Sequence, residues 1–154
     1  MTAVLQRVYS ATVYADGEKS GEIGAGLYIL LGVEQGDNDD DARLLATKIA
    51  KLRIFCDENG KMNLSVNDIG GDVMVVSNFT LAANYAHGNR PDYLMAAPPL
   101  EANRLYELFK SLISDLTSKQ CASGVFGADM RTEMSTNGPV TIVMHSAVLR
   151  GGKK

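Results

Sequence analysis

The sequence predicts a single α+β domain whose β-sheet curves toward a barrel, with two main amphipathic helices. Three observations carry that prediction. Short β-branched or alternating apolar runs recur from end to end, two longer stretches follow helical spacing, and no linker, repeat or compositional break separates them. At 154 residues, with 45% hydrophobic and 21% charged side chains, the chain suits one domain with its own core.

Residues 3–8 and 11–14 read as strands, followed by a turn signal at Ala15-Asp16-Gly17. The run 27–33 is flanked by Gly24, Gly26 and Gly36, as a buried strand between permissive turns would be. Asn38 is placed to cap a helix whose first turn holds Asp39, Asp40 and Asp41. Its last turn is expected to hold Lys48, Lys51 and Arg53, so that both ends suit the helix dipole. Ala42, Leu45, Ile49 and Leu52 form its apolar face. Residues 57–60 make a turn, and the buried strand 73–76 leads into Ser77. Pro98 and Pro99 precede a second helix over 101–116, with Leu105, Leu108, Phe109, Leu112 and Leu116 on one face. Residues 126–134 and 140–144 are expected as two strands joined by a turn at Thr136-Asn137-Gly138-Pro139. The domain is placed at residues 1–146, and residues 147–154, which end Gly-Gly-Lys-Lys, are expected to form a flexible tail.

Several function classes are disfavoured. No apolar run approaches the roughly 20 residues of a membrane helix, and the first ten residues carry no basic-then-apolar leader, so no membrane contact and a cytoplasmic location are expected. A net charge of −3 weighs against broad RNA coating, although an enzyme that grips only the tip of an RNA needs few cations. Cys56 and Cys121 have no CxxC partner, residues 39–41 lack calcium-loop spacing, and the glycines of 21–26 lack a nucleotide-binding pattern. No metal and no cofactor is expected. A GxSxG turn is absent, and His87 and His145 sit in no catalytic motif.

Two places stand out. Ser77-Asn78-Phe79-Thr80-Leu81 sets polar side chains and backbone N–H groups directly after buried valines, where a strand end can face a pocket. Gly138-Pro139 lies between two apolar runs, and local pattern leaves its peptide bond open to either isomer.

Ser77 to Leu81 resembles the first signature of the D-aminoacyl-tRNA deacylases, Ser-Gln-x-x-Leu, and residues 137–141 resemble the second, built round Gly-Pro-x-Thr. Gln6-Arg7-Val8, Gly21-Glu22-Ile23-Gly24, Leu31-Gly32-Val33, Arg53-Ile54-Phe55, Gly60-Lys61-Met62-Asn63-Leu64 and Phe126-Gly127-Ala128-Asp129-Met130 also look like family segments in family order. The resemblance implies the deacylase fold, a homodimer with active sites built across its interface, and the 3′ end of a D-aminoacyl-tRNA as partner. It implies hydrolysis of the aminoacyl ester, with Ser77, Asn78, Phe79 and Thr80 as the catalytic group and backbone N–H groups near Phe79 and Thr80 as oxyanion donors. It further implies a cis Gly138-Pro139 bond that reaches the partner's pocket, with Asn137, Thr141, Leu81 and Met130 completing substrate binding and chiral rejection.

L- and D-aminoacyl esters contain the same atoms, so area and charge cannot separate them and a rigid group must clash with one configuration. Glycine, with no side chain, should escape such a filter. The chain departs from the family at Asn78, where Gln is usual, at Asn84-Tyr85 and residues 88–93, and at Thr136-Asn137. These changes leave open a relative that edits another mischarged tRNA or binds aminoacyl-tRNA ends without turnover.

Overall fold

The computed structural model describes residues 1–151. Strand β1 (Thr2–Ala15) is the hub of a six-stranded, nearly closed barrel-like sheet. On one side it pairs antiparallel with β2 (Glu18–Ile23) and β3 (Gly26–Gly32), and β3 continues into parallel β6 (Asp72–Ser77) and β7 (Ala122–Ser123). On its other side β1 pairs antiparallel with β8 (Met130–His145). A separate hairpin joins β4 (Phe55–Cys56) to β5 (Met62–Leu64) through the turn expected at 57–60.

Helices α1 (Asp39–Ala50) and α2 (Pro99–Thr117) cover one face of the sheet. Period-2 alternation aims Ala3, Leu5, Leu27, Ile29, Leu31, Val73 and Val75 at that layer, where they meet Leu45, Ile49, Leu105, Phe109 and Ile113. The intervening residues Tyr28, Met74 and Val76 form a smaller cluster with Val8, Ala11 and Val13. The parity of β1 changes between Leu5 and Ala11 because its register against β8 shifts on either side of Val8. Asn38 starts α1 with a capping box: its side chain accepts from the Asp40 N–H at 2.9 Å, and Asp41 accepts from the Asn38 N–H at 2.9 Å. No helix among the described residues is long and apolar enough to cross a membrane.

Five expectations need correction. Residues 3–8 and 11–14 are one strand, because both halves share β8 as a ladder partner. Helix α1 ends at Ala50 with Lys51 as its cap, which leaves Arg53 outside it. Helix α2 begins at Pro99 itself, where a missing N–H costs nothing. The two C-terminal strands with a turn at 136–139 are a single strand, β8, and residues 126–129 lie in the loop before it. Finally, the expected tail forms α3 (Ser146–Arg150) over its first residues. Arg150 Nε donates to the fully buried Asp41 carboxylate at 2.6 Å, which anchors that helix to α1. The end of the expected tail, residues 152–154, lies outside the described residues.

Candidate active site

The valine strand β6 delivers the first motif. The Asn78 N–H donates to the Leu31 carbonyl at 2.8 Å, and the chain then turns into a short 3-10 helix over Phe79–Ala82. The Asn78 side-chain oxygen accepts from the Thr80 N–H at 3.1 Å and from the Thr80 hydroxyl, so it caps this turn. Gly32 lets the turn lie against β3: a Cβ there would stand 2.9 Å from Leu81 Cβ and 3.2 Å from the Asn78 carbonyl oxygen.

Beside the turn opens a mostly apolar cavity of about 700 Å³, whose lining includes Ser77, Asn78, Phe79, Tyr93, Tyr106, Phe126 and Met130. Its lining holds no Asp, Glu, Lys, Arg or His. Phe79 is 60% exposed and meets Tyr93 edge-on, with ring centroids 5.1 Å apart. The phenol of Tyr106 donates to the Val75 carbonyl at 2.9 Å, and burial raises its pKa, so it is a neutral brace rather than a base. His145 pairs with Thr2 Oγ1 at 2.9 Å, and neither it nor His87 lines the cavity.

This geometry refines the expected roles. The Thr80 N–H is already committed to Asn78, whereas the Phe79 N–H finds no acceptor among the described residues. Within the turn, where the Leu81 N–H donates to the Asn78 carbonyl, the Phe79 N–H is therefore the donor left for a developing oxyanion. The Asn78 oxygen is likewise occupied, which leaves its amide NH₂ as the group free to meet a ligand. Thr80 Oγ1 donates to that same oxygen and has no base among its hydrogen-bond partners.

The second motif lies elsewhere. Gln6 pairs with Thr141 and Val8 with Thr136, so the four residues 137–140 stand opposite Arg7 alone and bulge out of the ladder. The Gly138-Pro139 peptide bond is cis, and Gly138 has a φ of +127°. Behind the bulge lies the Arg7 guanidinium, only 8% of that residue being exposed. It donates to the Ile54 carbonyl at 2.6 Å, to the Asn137 carbonyl at 3.2 Å and to Asn137 Oδ1 at 3.2 Å.

Of the residues singled out from the sequence, Ser77, Asn78, Phe79 and Met130 line the cavity. Thr80 and Leu81 belong to the adjoining turn but not to the lining, and Asn137, Gly138, Pro139 and Thr141 line none of it. Arg7, Tyr93 and Tyr106 carried no assigned role in the sequence. A signal existed for Arg7, since a cation at the inward parity of Ala3 and Leu5 demands buried acceptors. Tyr93 lies in an irregular segment and gave none.

Comparisons with known proteins agree with this architecture. The family model described as D-Tyr-tRNA(Tyr) deacylase matches residues 4–145. A D-aminoacyl-tRNA deacylase of Cereibacter sphaeroides is 53% identical over 146 residues, covering 95% of this chain and all of its own. One from Akkermansia muciniphila is 49% identical over 146 residues, covering 95% of this chain and 97% of its own. Among solved structures, the c-Myc DNA Unwinding Element Binding Protein superposes with a TM-score of 0.87 at 36% identity, covering 94% of this chain and 98% of that one.

Proposed function

The chain belongs to the D-Tyr-tRNA(Tyr) deacylase family, and from that premise we propose that it hydrolyses the ester of D-aminoacyl-tRNA in the cytoplasm, releasing the D-amino acid and free tRNA. The observation that carries this reading is the uncommitted Phe79 N–H at the mouth of a cavity without an acid or base. An aminoacyl ester is already labile, so positioning it against one fixed oxyanion donor is a sufficient task for such a site. The vicinal hydroxyl of the terminal ribose can orient the attacking water. In this reading Ser77 and the Asn78 amide, both in the cavity lining, hold the substrate's amino group or terminal adenosine.

Chirality is assigned to the second motif. In this reading the protein is a homodimer, and the Gly138-Pro139 corner of one protomer enters the cavity of the other, its main-chain carbonyls blocking an L side chain. Two features support it. The bulge lines none of its own cavity, and Arg7 holds it from behind with two hydrogen bonds to Asn137 while a third ties the guanidinium to the Ile54 carbonyl. Leu81 and Thr141 support the two motifs from the turn and the ladder, and Met130 forms part of the cavity wall. Glycyl-tRNA passes the filter because it presents no side chain.

The test is hydrolysis of D-tyrosyl-, L-tyrosyl- and glycyl-tRNA side by side, with sedimentation for the oligomeric state. Loss of the D and glycyl esters with retention of the L ester is expected from a dimer. Binding without turnover would instead favour a protein that holds aminoacyl-tRNA ends. Rapid loss of the L ester would favour editing of another mischarged tRNA.

A further inference from the structure

The chain is acidic overall, yet its uncommitted cations are not scattered. Lys19, Arg104, Lys110, Lys119, Arg131 and Arg150 each form an ion pair at the surface. The exposed cations that form none among the described residues are Lys48, Lys51, Arg53, Lys61 and Arg90. Three of these five, Lys48, Lys51 and Arg53, line one groove of about 580 Å³ at the C-terminal end of α1, together with Arg43. Arg43 approaches Asp39 only at 3.8 Å. Asp68, which feels the charge of Arg53 without forming an ion pair with it, accepts from the Ser65 N–H and hydroxyl, both at 2.7 Å. The remaining lining is the Leu44, Thr47, Leu52 and Leu149 side chains, so no acid sits in the groove itself.

The groove is also linked to the second motif. Arg53 precedes Ile54, whose carbonyl accepts from the same Arg7 guanidinium that holds Asn137. The backbone next to Arg53 of the groove lining and the bulge residue Asn137 are thus tied through one side chain. We propose that the Arg43-Lys48-Lys51-Arg53 groove binds backbone phosphates of the tRNA acceptor stem. The tRNA then bridges the dimer, its ester in one protomer's cavity and its stem on the protomer that supplies the bulge. This rests on the deacylase reading above, and it names the surface by which an acidic protein grips a polyanion.

The test uses Lys48→Gln/Lys51→Gln/Arg53→Gln in the full-length protein. Because Arg53 Nε also donates to the Asn63 carbonyl at 2.7 Å, a second variant, Lys48→Gln/Lys51→Gln, spares that contact. Binding of uncharged tRNA is followed by fluorescence anisotropy across a salt series. The triple variant is expected to bind about 10- to 100-fold more weakly, and the slope of log affinity against log salt should fall by about 3, or by about 2 in the double variant. In hydrolysis, KM for D-tyrosyl-tRNA should rise with kcat unchanged, while 3′-O-D-tyrosyl-adenosine, which has no stem, should be cleaved at the wild-type rate. Wild-type affinity and slope in both variants would overturn the proposal, as would an equal loss on the adenosine ester. If the wild type cleaves no D-ester but binds tRNA through these residues, the groove stands and the deacylase reading falls.

Discussion

Replacing Gly138 by alanine isolates the corner assigned to chiral exclusion. A Cβ at this position would lie 2.8 Å from the Val140 nitrogen and 2.9 Å from Val140 Cγ2, both inside contact distance, and 3.3 Å from Arg7 Nη2. Its φ of +127° is a region that L residues rarely adopt, at a cost on the order of 1–3 kcal/mol. Adding the contact with main-chain nitrogen, the present geometry is disfavoured by about 2–3 kcal/mol, which leaves it populated about 3% of the time or less. The bulge is exposed and can relax outward, so global stability should fall by less than this strain. Exclusion of L side chains should not survive the relaxation. The ratio of kcat/KM for D-tyrosyl- over L-tyrosyl-tRNA is expected to drop about 30-fold, mainly through a gain on the L ester. Parallel hydrolysis time courses and a thermal melt read both quantities. A variant that folds normally and keeps the wild-type ratio would refute the assignment of this corner to chirality.

Three further outcomes follow from the same geometry. Gly32→Ala drives a Cβ to 2.9 Å from Leu81 Cβ, so the turn bearing Phe79 must move; D-ester hydrolysis should fall at least tenfold with a loss of about 1–2 kcal/mol in chemical denaturation. Asn78→Ala removes the cap on the Thr80 N–H, which should cost about 1 kcal/mol and leave a second amide competing with that of Phe79, read as a lower kcat. Asp41 is buried, which disfavours its charge, but hydrogen bonds from Arg150, Asn38 and Ser146 outweigh burial and hold its carboxyl below the ordinary value. The folded form therefore binds its proton less readily than the unfolded chain. The contribution is full above the unfolded value near roughly 3.9 and is lost as pH falls through the folded one. Urea midpoints should drop more steeply as pH falls below about 4 in the wild type than in Asp41→Asn, and equal slopes would exclude this role.

The elements most legible in the sequence were those that local physics decides. Asn38 with three aspartates after it suits the start of a helix, and polar residues after Val73–Val76 mark a strand that ends at a cavity. What stayed hidden was decided by distant partners. Asn137-Gly138-Pro139 has the chemistry of a turn, and only the common ladder partner β1 makes it a bulge within one continuous strand. The end of α1 was placed too late because Leu52 keeps the apolar rhythm beyond the last helical residue, Ala50. The cavity wall at Tyr93–Ala96 has no periodicity, being set by isolated bridges from Asn84 to Asp92 and from Glu34 to Ala96. Helix α3 depends on Arg150 reaching a carboxylate 109 positions away, which no local window contains.

The pairing of β1 with β8 has a consequence for how the protein is made. Thr2 meets His145 across a separation of 143 residues, so the longest ladder in the sheet closes only after the segment up to His145 has left the ribosome. Until then the β8-facing edge of β1 lacks its partner strand, a template for association with other nascent chains. Chaperone dependence during synthesis, and truncation products that aggregate rather than retain partial activity, are the expected signatures of that late closure.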